Sequence, residues 1–434
     1  MSRNGAPPRV PLPKALQTLR FLVRPGAFME HWRAELGETF HASVHGPGEL
    51  VFISDPASLK KLFAADRVNT IAPGRNIILG PLLGPGSLLL QEGSEHLRRR
   101  KLMLPPFHGE RMRAYEKVIS AAAERSVASW PVGTPFRLHP SMQAITLEVI
   151  LRAVFGITDE RRRDELSGAL VQILGATASP RAVGFIVPGL RRTPMYRRLD
   201  GLSTRIDELL AAEITERRAD PELGERDDIL SMLVGARFDD GSRMEDAELR
   251  DQLMTLLLAG HETTATGLAW TFDLLFRNPD AFARLTDEVR AGEFEYLDAV
   301  IEESLRVRPV VPFTGRELRE PAGLGGYELD AGTIVMAAIS LTHTRPDLYP
   351  EPYAFRPERF VEGEVETYSW IPFGGGTRRC IGAAFAQFEM RVALETILRS
   401  CELRPGSDRP ERAVRRNVTL SPAGGTLAVL EARI

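Results

Sequence analysis

The sequence predicts a mainly α-helical fold with small β-sheets, on three observations. Most of residues 94–276 carries helical periodicity, broken only near Pro105-Pro106, Pro131–Pro135 and Ala176–Pro194. Two short β-rich stretches lie outside it, one between residues 39 and 54 and one at Gly325–Leu341. No internal repeat, low-complexity tract or interdomain linker appears in the 434 residues. A single domain over residues 1–434 is therefore expected, with residues 1–30 forming a proline-rich, partly extended leader.

Composition sets the broad class. An apolar content of 43% with 26% charged residues is ordinary for a soluble globular protein with a large core. A net charge of -3 lacks the basic excess typical of nucleic-acid binders, so no nucleic-acid partner is expected. Two cysteines form no disulfide framework, which fits a reducing, cytoplasmic setting. No stretch approaches the roughly 18 uninterrupted apolar residues of a membrane span, and Phe21–Val23 is too short for a signal-peptide core. Leu16, Leu19, Phe21 and Leu22 suit either the body of the protein or a membrane surface.

Taken in order, Thr39–Val44 and Leu50–Ser54 flank a His-Gly-Pro-Gly turn and predict a hairpin. Asp55-Pro56 opens a helix through Phe63, with the aspartate as N-cap. Residues 70–90 are rich in Gly, Pro and Leu and include Ile77, Ile78, Leu79, Leu82 and Leu83. So much apolar surface in an irregular segment suits a pocket wall or simple packing. In the second β-rich stretch, Gly325-Gly326 and Ala331-Gly332 mark turns.

Residues 246–276 form the strongest predicted helix. Between Leu253 and Ala259 it is nearly all apolar, so it should be wrapped on all sides. Into that core the chain places Gly260-His261-Glu262-Thr263-Thr264. A carboxylate and hydroxyls there are costly unless paired or functional. Thr263 lies one turn after Ala259, so its hydroxyl can compete for that carbonyl. Gly260 leaves room for another group to approach. The segment suits proton relay, or a kink with locally satisfied polar groups.

The ten residues Phe373 to Gly382 read Phe-Gly-Gly-Gly-Thr-Arg-Arg-Cys-Ile-Gly. Three glycines allow unusual backbone conformations and close approach of another body. Arg378 and Arg379 precede Cys380 and should favour its thiolate, the form that binds metal. A helix beginning after Ile381 places its N-terminal dipole near the sulfur. The arrangement suggests a single thiolate ligand, against the alternative of a buried structural cysteine beside a turn. Cys401 sits in an ordinary helix-to-loop context and is expected to be inert.

This loop resembles F-x-x-G-x-R-x-C-x-G of the cytochrome P-450 superfamily, matching at Phe373, Gly376, Arg378, Cys380 and Gly382. The resemblance implies the cytochrome P-450 fold and haem b (iron protoporphyrin IX), with Cys380 as the axial ligand. The segment A-G-H-E-T-T is similar to the family's oxygen-binding helix, which casts Glu262 and Thr263 as the acid–alcohol pair that supplies protons for O–O cleavage. Ala259 lies on the same helix and would border the haem and its substrate. Glu303 and Arg306, spaced i, i+3, can pair on one helix face. They match E-x-x-R, and P-E-R-F at Pro357–Phe360 supplies Arg359 as the third member of the implied buried triad. His96 and Arg100 match W/H-x-x-x-R and, with Arg316 and Arg378, are implied propionate partners. Their setting, His96–Lys101, also suits a solvated basic run.

Five motifs in the family's order extend the resemblance over nearly the whole chain. About fifty residues follow Cys380, so electrons are expected from a separate ferredoxin or flavodoxin with its reductase. Arg98, Lys101 and Arg379 suggest an electropositive docking surface for it. The resemblance implies a pocket lined by residues 70–90, Ala176–Pro194, Ala259, Val311, Phe313 and the turn near Ser421–Gly425. These suit a lipophilic small-molecule substrate such as a fatty acid, terpenoid or polyketide, with Arg181, Arg191 and Arg192 either meeting a carboxylate or lying on the surface. The expected activity is an O2-dependent monooxygenase that hydroxylates or epoxidises its substrate. A peroxide-using or rearranging haem-thiolate enzyme is the alternative, and a non-catalytic haem sensor a third. The intact Glu262-Thr263 pair argues against the second, and no output domain is visible for the third.

Overall fold

A computed structural model describes residues 5–71, 80–107, 109, 111–157, 159–177, 194–363, 365–416 and 418–434. The predicted leader is extended before Lys14, as expected, and helical beyond it. The extended stretch pairs Arg9 with His41, after which come α1 (Lys14–Val23) and α2 (Pro25–Leu36). Phe21 of α1 is buried against Phe28 and Phe52, while Leu19, Leu22 and Val23 remain exposed. The apolar residues of α1 therefore divide between core and surface.

The expected hairpin forms from β1 (Thr39–Val44) and β2 (Gly48–Ile53). Asp55 caps α3 (Pro56–Ala64) by accepting from the Ser58 amide at 2.7 Å. Within residues 70–90 the chain forms β3 (Thr70–Ile71) and a short α4 (Gly80–Leu83), more order than an irregular wall. Ile77, Ile78 and Leu79 lie outside the described residues.

The helical half then runs through α5 (Gly93–Met103), α6 (Arg111–Ser129), α7 (Leu138–Val149), α8 (Glu160–Thr177), α9 (Pro194–Ala219) and α10 (Ile229–Gly235). A three-residue strand, β4 (Pro135–Arg137), follows the Pro131 break. A π-helical turn at Ile150–Val154 extends α7. Next comes α11 (Asp246–Arg277), buried on nearly all sides as its composition demands. It packs against α7, α9, α13 (Glu295–Val307) and α16 (Ala383–Ser400). Between α11 and α13 lies α12 (Pro279–Ala291).

The β-rich stretch after α13 builds β5 (Thr314–Leu318), β6 (Ala322–Leu324), β7 (Tyr327–Leu329) and β8 (Ile334–Ala337). β6 and β7 are joined by Gly325-Gly326, both at positive φ (60° and 84°), as a two-residue hairpin turn requires. The main sheet has the order β1-β2-β8-β5-β3, which brings residues 39–53 beside 314–337. Two short helices, α14 (Ile339–His343) and α15 (Glu358–Glu362), precede the Cys380 loop. The chain ends with β9 (Cys401–Pro405), β10 (Ala413–Arg416), β11 (Thr419–Pro422) and β12 (Leu427–Arg433). β12 sits between β4 and β9, and β10 pairs with β11. Among the described residues no helix is long and apolar enough to cross a membrane.

Candidate active site

The Cys380 loop is seated by its own backbone and by α3. The Cys380 amide donates to the Phe373 carbonyl at 2.9 Å, and the Gly374 amide to that of Ile371 at 2.9 Å. Phe373 packs edge-on against Trp370 and lines the cavity described below. The body that approaches the glycines is the end of α3. A Cβ on Gly375 would stand 2.4 Å from the Phe63 ring, and Gly376, at φ 68°, abuts Asp66. Gly382 is the N-cap of α16, and its amide donates to the Cys380 sulfur.

Cys380 is exposed and lines the cavity described below. Desolvation by the surrounding protein pushes the thiol up, against the Gly382 amide and the charges of Arg100 and Arg379, which pull it down. The expectation that neighbouring charge would favour the thiolate holds for Arg379 and is corrected for Arg378. Desolvation wins in the protein alone, Arg100 takes the part assigned to Arg378, and Arg378 instead donates to the Gln91 carbonyl at 2.6 Å. Cys401 is buried, donates to the Ile397 carbonyl, and is pushed up to about 12 by burial.

The four implied propionate partners meet on the Cys380 side of the cavity but differ in what they have left to offer. His96 is 4% exposed, and burial, then Arg378 and Arg100, lowers it to about 4. It is therefore a neutral hydrogen-bonding group, not a cation. Arg100 forms no ion pair among the described residues. Arg316 on β5 is committed to Asp66 (Nε–Oδ1 2.6 Å) and to the Gly375 carbonyl at 3.1 Å, so its charge is already matched. The predicted docking surface is corrected in the same way. Arg98 lies 2.6 Å from Asp240 and over the Phe238 ring, and Lys101 2.8 Å from Asp239. Only Arg379 remains of that patch as an exposed cation without a carboxylate partner among the described residues.

α11 meets the cavity at Ala259, Glu262 and Thr263. The Thr263 hydroxyl donates to the Ala259 carbonyl at 2.6 Å, the local competition expected from its spacing. The group that approaches Gly260 is Ile150 of the π-helical turn, whose Cδ1 would lie 2.6 Å from an added Cβ. Glu262 Oε2 accepts from Gln143 Nε2 at 2.5 Å, and Oε1 is 3.7 Å from His139 Nε2. Burial raises the Glu262 carboxyl, while Gln143 and the charge of Arg416 pull it down. His139 also meets Thr266 at 3.2 Å and is lowered to about 4 by burial.

Glu389 of α16 is 1% exposed, pushed up to about 8 by burial, and hydrogen-bonded to Thr264 of α11. Sequence reasoning missed it, although an acid on the apolar face of a helix was a readable signal. Gln143, His139 and Asp66 were also missed. Their types are unremarkable, and only the tertiary fold brings them to the site.

Glu303 and Arg306 form a fully buried bidentate pair at 2.6 and 2.7 Å. Arg306 also donates to the carbonyls of His343, Pro352 and Ala354. Arg359 approaches Glu303 at 3.5 Å and donates to the Glu351 carbonyl. His343 accepts from the Ile371 amide at 2.8 Å, two residues before Phe373, so the network reaches the Cys380 loop.

The cavity measures about 1210 Å³ and is mainly apolar, with Leu83, Leu88, Leu89 and Val311 in its wall. Phe313 is a correction. It stacks on Phe21 at 5.2 Å within the N-terminal core and does not line the cavity, because the chain between Val311 and Phe313 is irregular. The C-terminal wall comes from Arg416, Val418 and Thr419, a few residues before the expected turn at Ser421–Gly425. Of the expected Ala176–Pro194 wall, residues 178–193, with Arg181, Arg191 and Arg192, lie outside the described residues.

The family model for cytochrome P450 matches residues 6–429. Cytochrome P450 135B1 of Mycobacterium tuberculosis is 42% identical over 431 residues, covering 98% of this chain and 91% of that protein. Cytochrome P450 137 of the same species is 37% identical over 433 residues, covering 97% and 90%. Among solved structures, cyanobacterial CYP120A1 with bound retinoic acid superposes with a TM-score of 0.85 at 26% identity, covering 99% of each chain. The haem domain of cytochrome P450DA shares the fold with a TM-score of 0.85 at 24% identity, covering 98% and 96%. The chain belongs to the cytochrome P450 family. It is a haem-thiolate monooxygenase that uses O2 and a redox partner. The residues present fit a haem: a thiol facing a large cavity, Arg100 and His96 without competing partners beside it, and the small Ala259 at the α11 wall.

Proposed function

We propose that this enzyme inserts one oxygen atom from O2 into a lipophilic small molecule, by hydroxylation or epoxidation, with haem b held by Cys380. The observation that carries the reading is the opening of the Cys380 sulfur, Thr263 and Glu262 onto one apolar cavity. Arg100 and His96 hold the propionates, with Arg378 beside them. Arg316 positions the loop by tying Asp66 to Gly375. The haem, when bound, supplies the activation of dioxygen.

The chain's own residues deliver protons and exclude water. Glu262, held by Gln143, keeps its proton more readily than a solvated carboxyl and can pass it toward Thr263. The Thr263 hydroxyl, fixed by the Ala259 carbonyl, retains its lone pairs to accept that proton and orients toward the cavity. Ala259, Val311, Leu88 and Leu89 provide a dry wall for the substrate. Cytochrome P450 CYP120A1 holds retinoic acid, a lipophile of the kind this wall suits. Glu303, Arg306 and Arg359 brace the segment leading to Phe373. A ferredoxin or flavodoxin with its reductase supplies the electrons in the cytoplasm, and the chain works as one domain.

The test is the carbon monoxide difference spectrum of the reduced, purified protein. A strongly red-shifted Soret band is expected from Cys380 thiolate ligation. Haem without that band, or no haem, would overturn the assignment.

A further inference from the structure

Four of the eight arginines in the cavity wall are matched by carboxylates. Arg125 and Arg152 both pair with Glu148, Arg163 pairs with Asp164, and Arg316 with Asp66. Among the described residues, Arg100, Arg379 and Arg416 make no ion pair or side-chain hydrogen bond. Arg100 and Arg379 act on Cys380. Arg416 stands elsewhere, at the end of β10 in the hairpin with β11, and its charge is felt at Glu262 and His139.

An arginine is always charged in a protein, and a partly buried charge without a partner is costly. Glu262 does not neutralise it, since that carboxyl is bonded to Gln143 and lies beyond ion-pair distance. Val418 and Thr419 follow Arg416 in the cavity wall, and Thr419 directs its hydroxyl to the Arg416 carbonyl. The guanidinium is thus an unpaired planar donor in the wall of a mainly apolar cavity, and such a fork recognises a carboxylate by two parallel hydrogen bonds.

We infer that Arg416 is the anchor for an anionic head group and that the substrate is a lipophilic carboxylate. This rests on the reading of the cavity as the substrate site and narrows it from lipophiles in general to amphipathic acids. The neutral members of the terpenoid and polyketide classes would then be poorer ligands than acids of equal length.

The test compares dodecanoic acid with 1-dodecanol, molecules of matched chain and opposite charge behaviour, by calorimetric titration of the holoprotein at pH 7.5. The native protein should bind the acid more tightly. Arg416→Leu should weaken the acid by about 10- to 100-fold, the range of one charge-assisted contact, and leave the alcohol within about twofold. Arg416→Lys should recover part of the acid binding, and Arg416→Glu should turn the preference toward dodecylamine. Equal loss of acid and alcohol in Arg416→Leu would make the residue a packing element and overturn the proposal. So would unchanged acid binding, or equal affinity of the native protein for acid and alcohol. If the leucine variant fails to fold, the lysine and glutamate variants decide by the same comparison. The carbon monoxide spectrum of the same samples judges the haem-thiolate reading separately, because calorimetry reads head-group discrimination without it.

Discussion

Thr263 commits its hydroxyl proton to the Ala259 carbonyl at 2.6 Å, which fixes the oxygen's direction at the cavity wall. Removing that oxygen should leave the fold intact. Thr263→Ala is expected to retain haem and substrate spectra while product per NADH falls by about tenfold or more, the excess appearing as peroxide. Full coupling in that variant would remove the relay role. Val311 and Phe313 make a second residue-scale contrast, because only Val311 lines the cavity. Val311→Phe should weaken substrate binding, whereas Phe313→Leu should spare it and lower stability by about 1 kcal/mol. Spectral titration and thermal melting separate the two. From the sequence, the Thr263–Ala259 contact followed from helix spacing alone. The direction of Phe313 did not, because an irregular backbone has no period from which to read a face.

At the scale of elements, the Glu303–Arg306 pair clamps α13 to the segment from His343 to Arg356. Glu303→Ala would strand two arginines, one of them fully buried, a loss of about 3–5 kcal/mol. The purified variant is expected to lack bound haem by absorbance, and a stable holoprotein would contradict the bracing role. A second element-scale contact is α11 against the π-helical turn. Gly260→Ala should destabilise the protein by about 1–3 kcal/mol, and Ile150→Val in the same chain should restore most of it. Denaturant melts of the single and double variants measure that coupling. Helix α11 was legible from composition and the ion pair from spacing. The partner of Gly260 was not, since Ile150 is distant in the chain and chemically ordinary.

For the molecule as a whole, acidity is the informative variable. Burial lowers His139 and His261 to about 4 and His343 to about 3, from an ordinary 6.5. Between pH 6.5 and 4 the unfolded chain binds protons at these imidazoles and the native protein does not, so stability rises with pH there. Each contributes at most about 1.4 kcal/mol per pH unit. Glu389 acts in the opposite sense between 4.5 and about 8, because the native protein keeps a proton that the unfolded chain releases. Glu389→Gln removes that opposing effect, so its stability relative to the native sequence should improve by about 2 kcal/mol from pH 5 to pH 7. Parallel pH profiles in thermal melts would show that Glu389 is not held protonated.

The anchoring of the Cys380 loop has a kinetic side. Thr377 and Arg316 meet Asp66 across 311 and 250 positions of chain, and Arg378 meets Gln91 across 287. Contacts so distant in sequence form late, because the intervening chain must be ordered before they are rewarded. Competence to capture haem should consequently emerge in one late phase of refolding, and no C-terminal fragment carrying Cys380 alone would possess it.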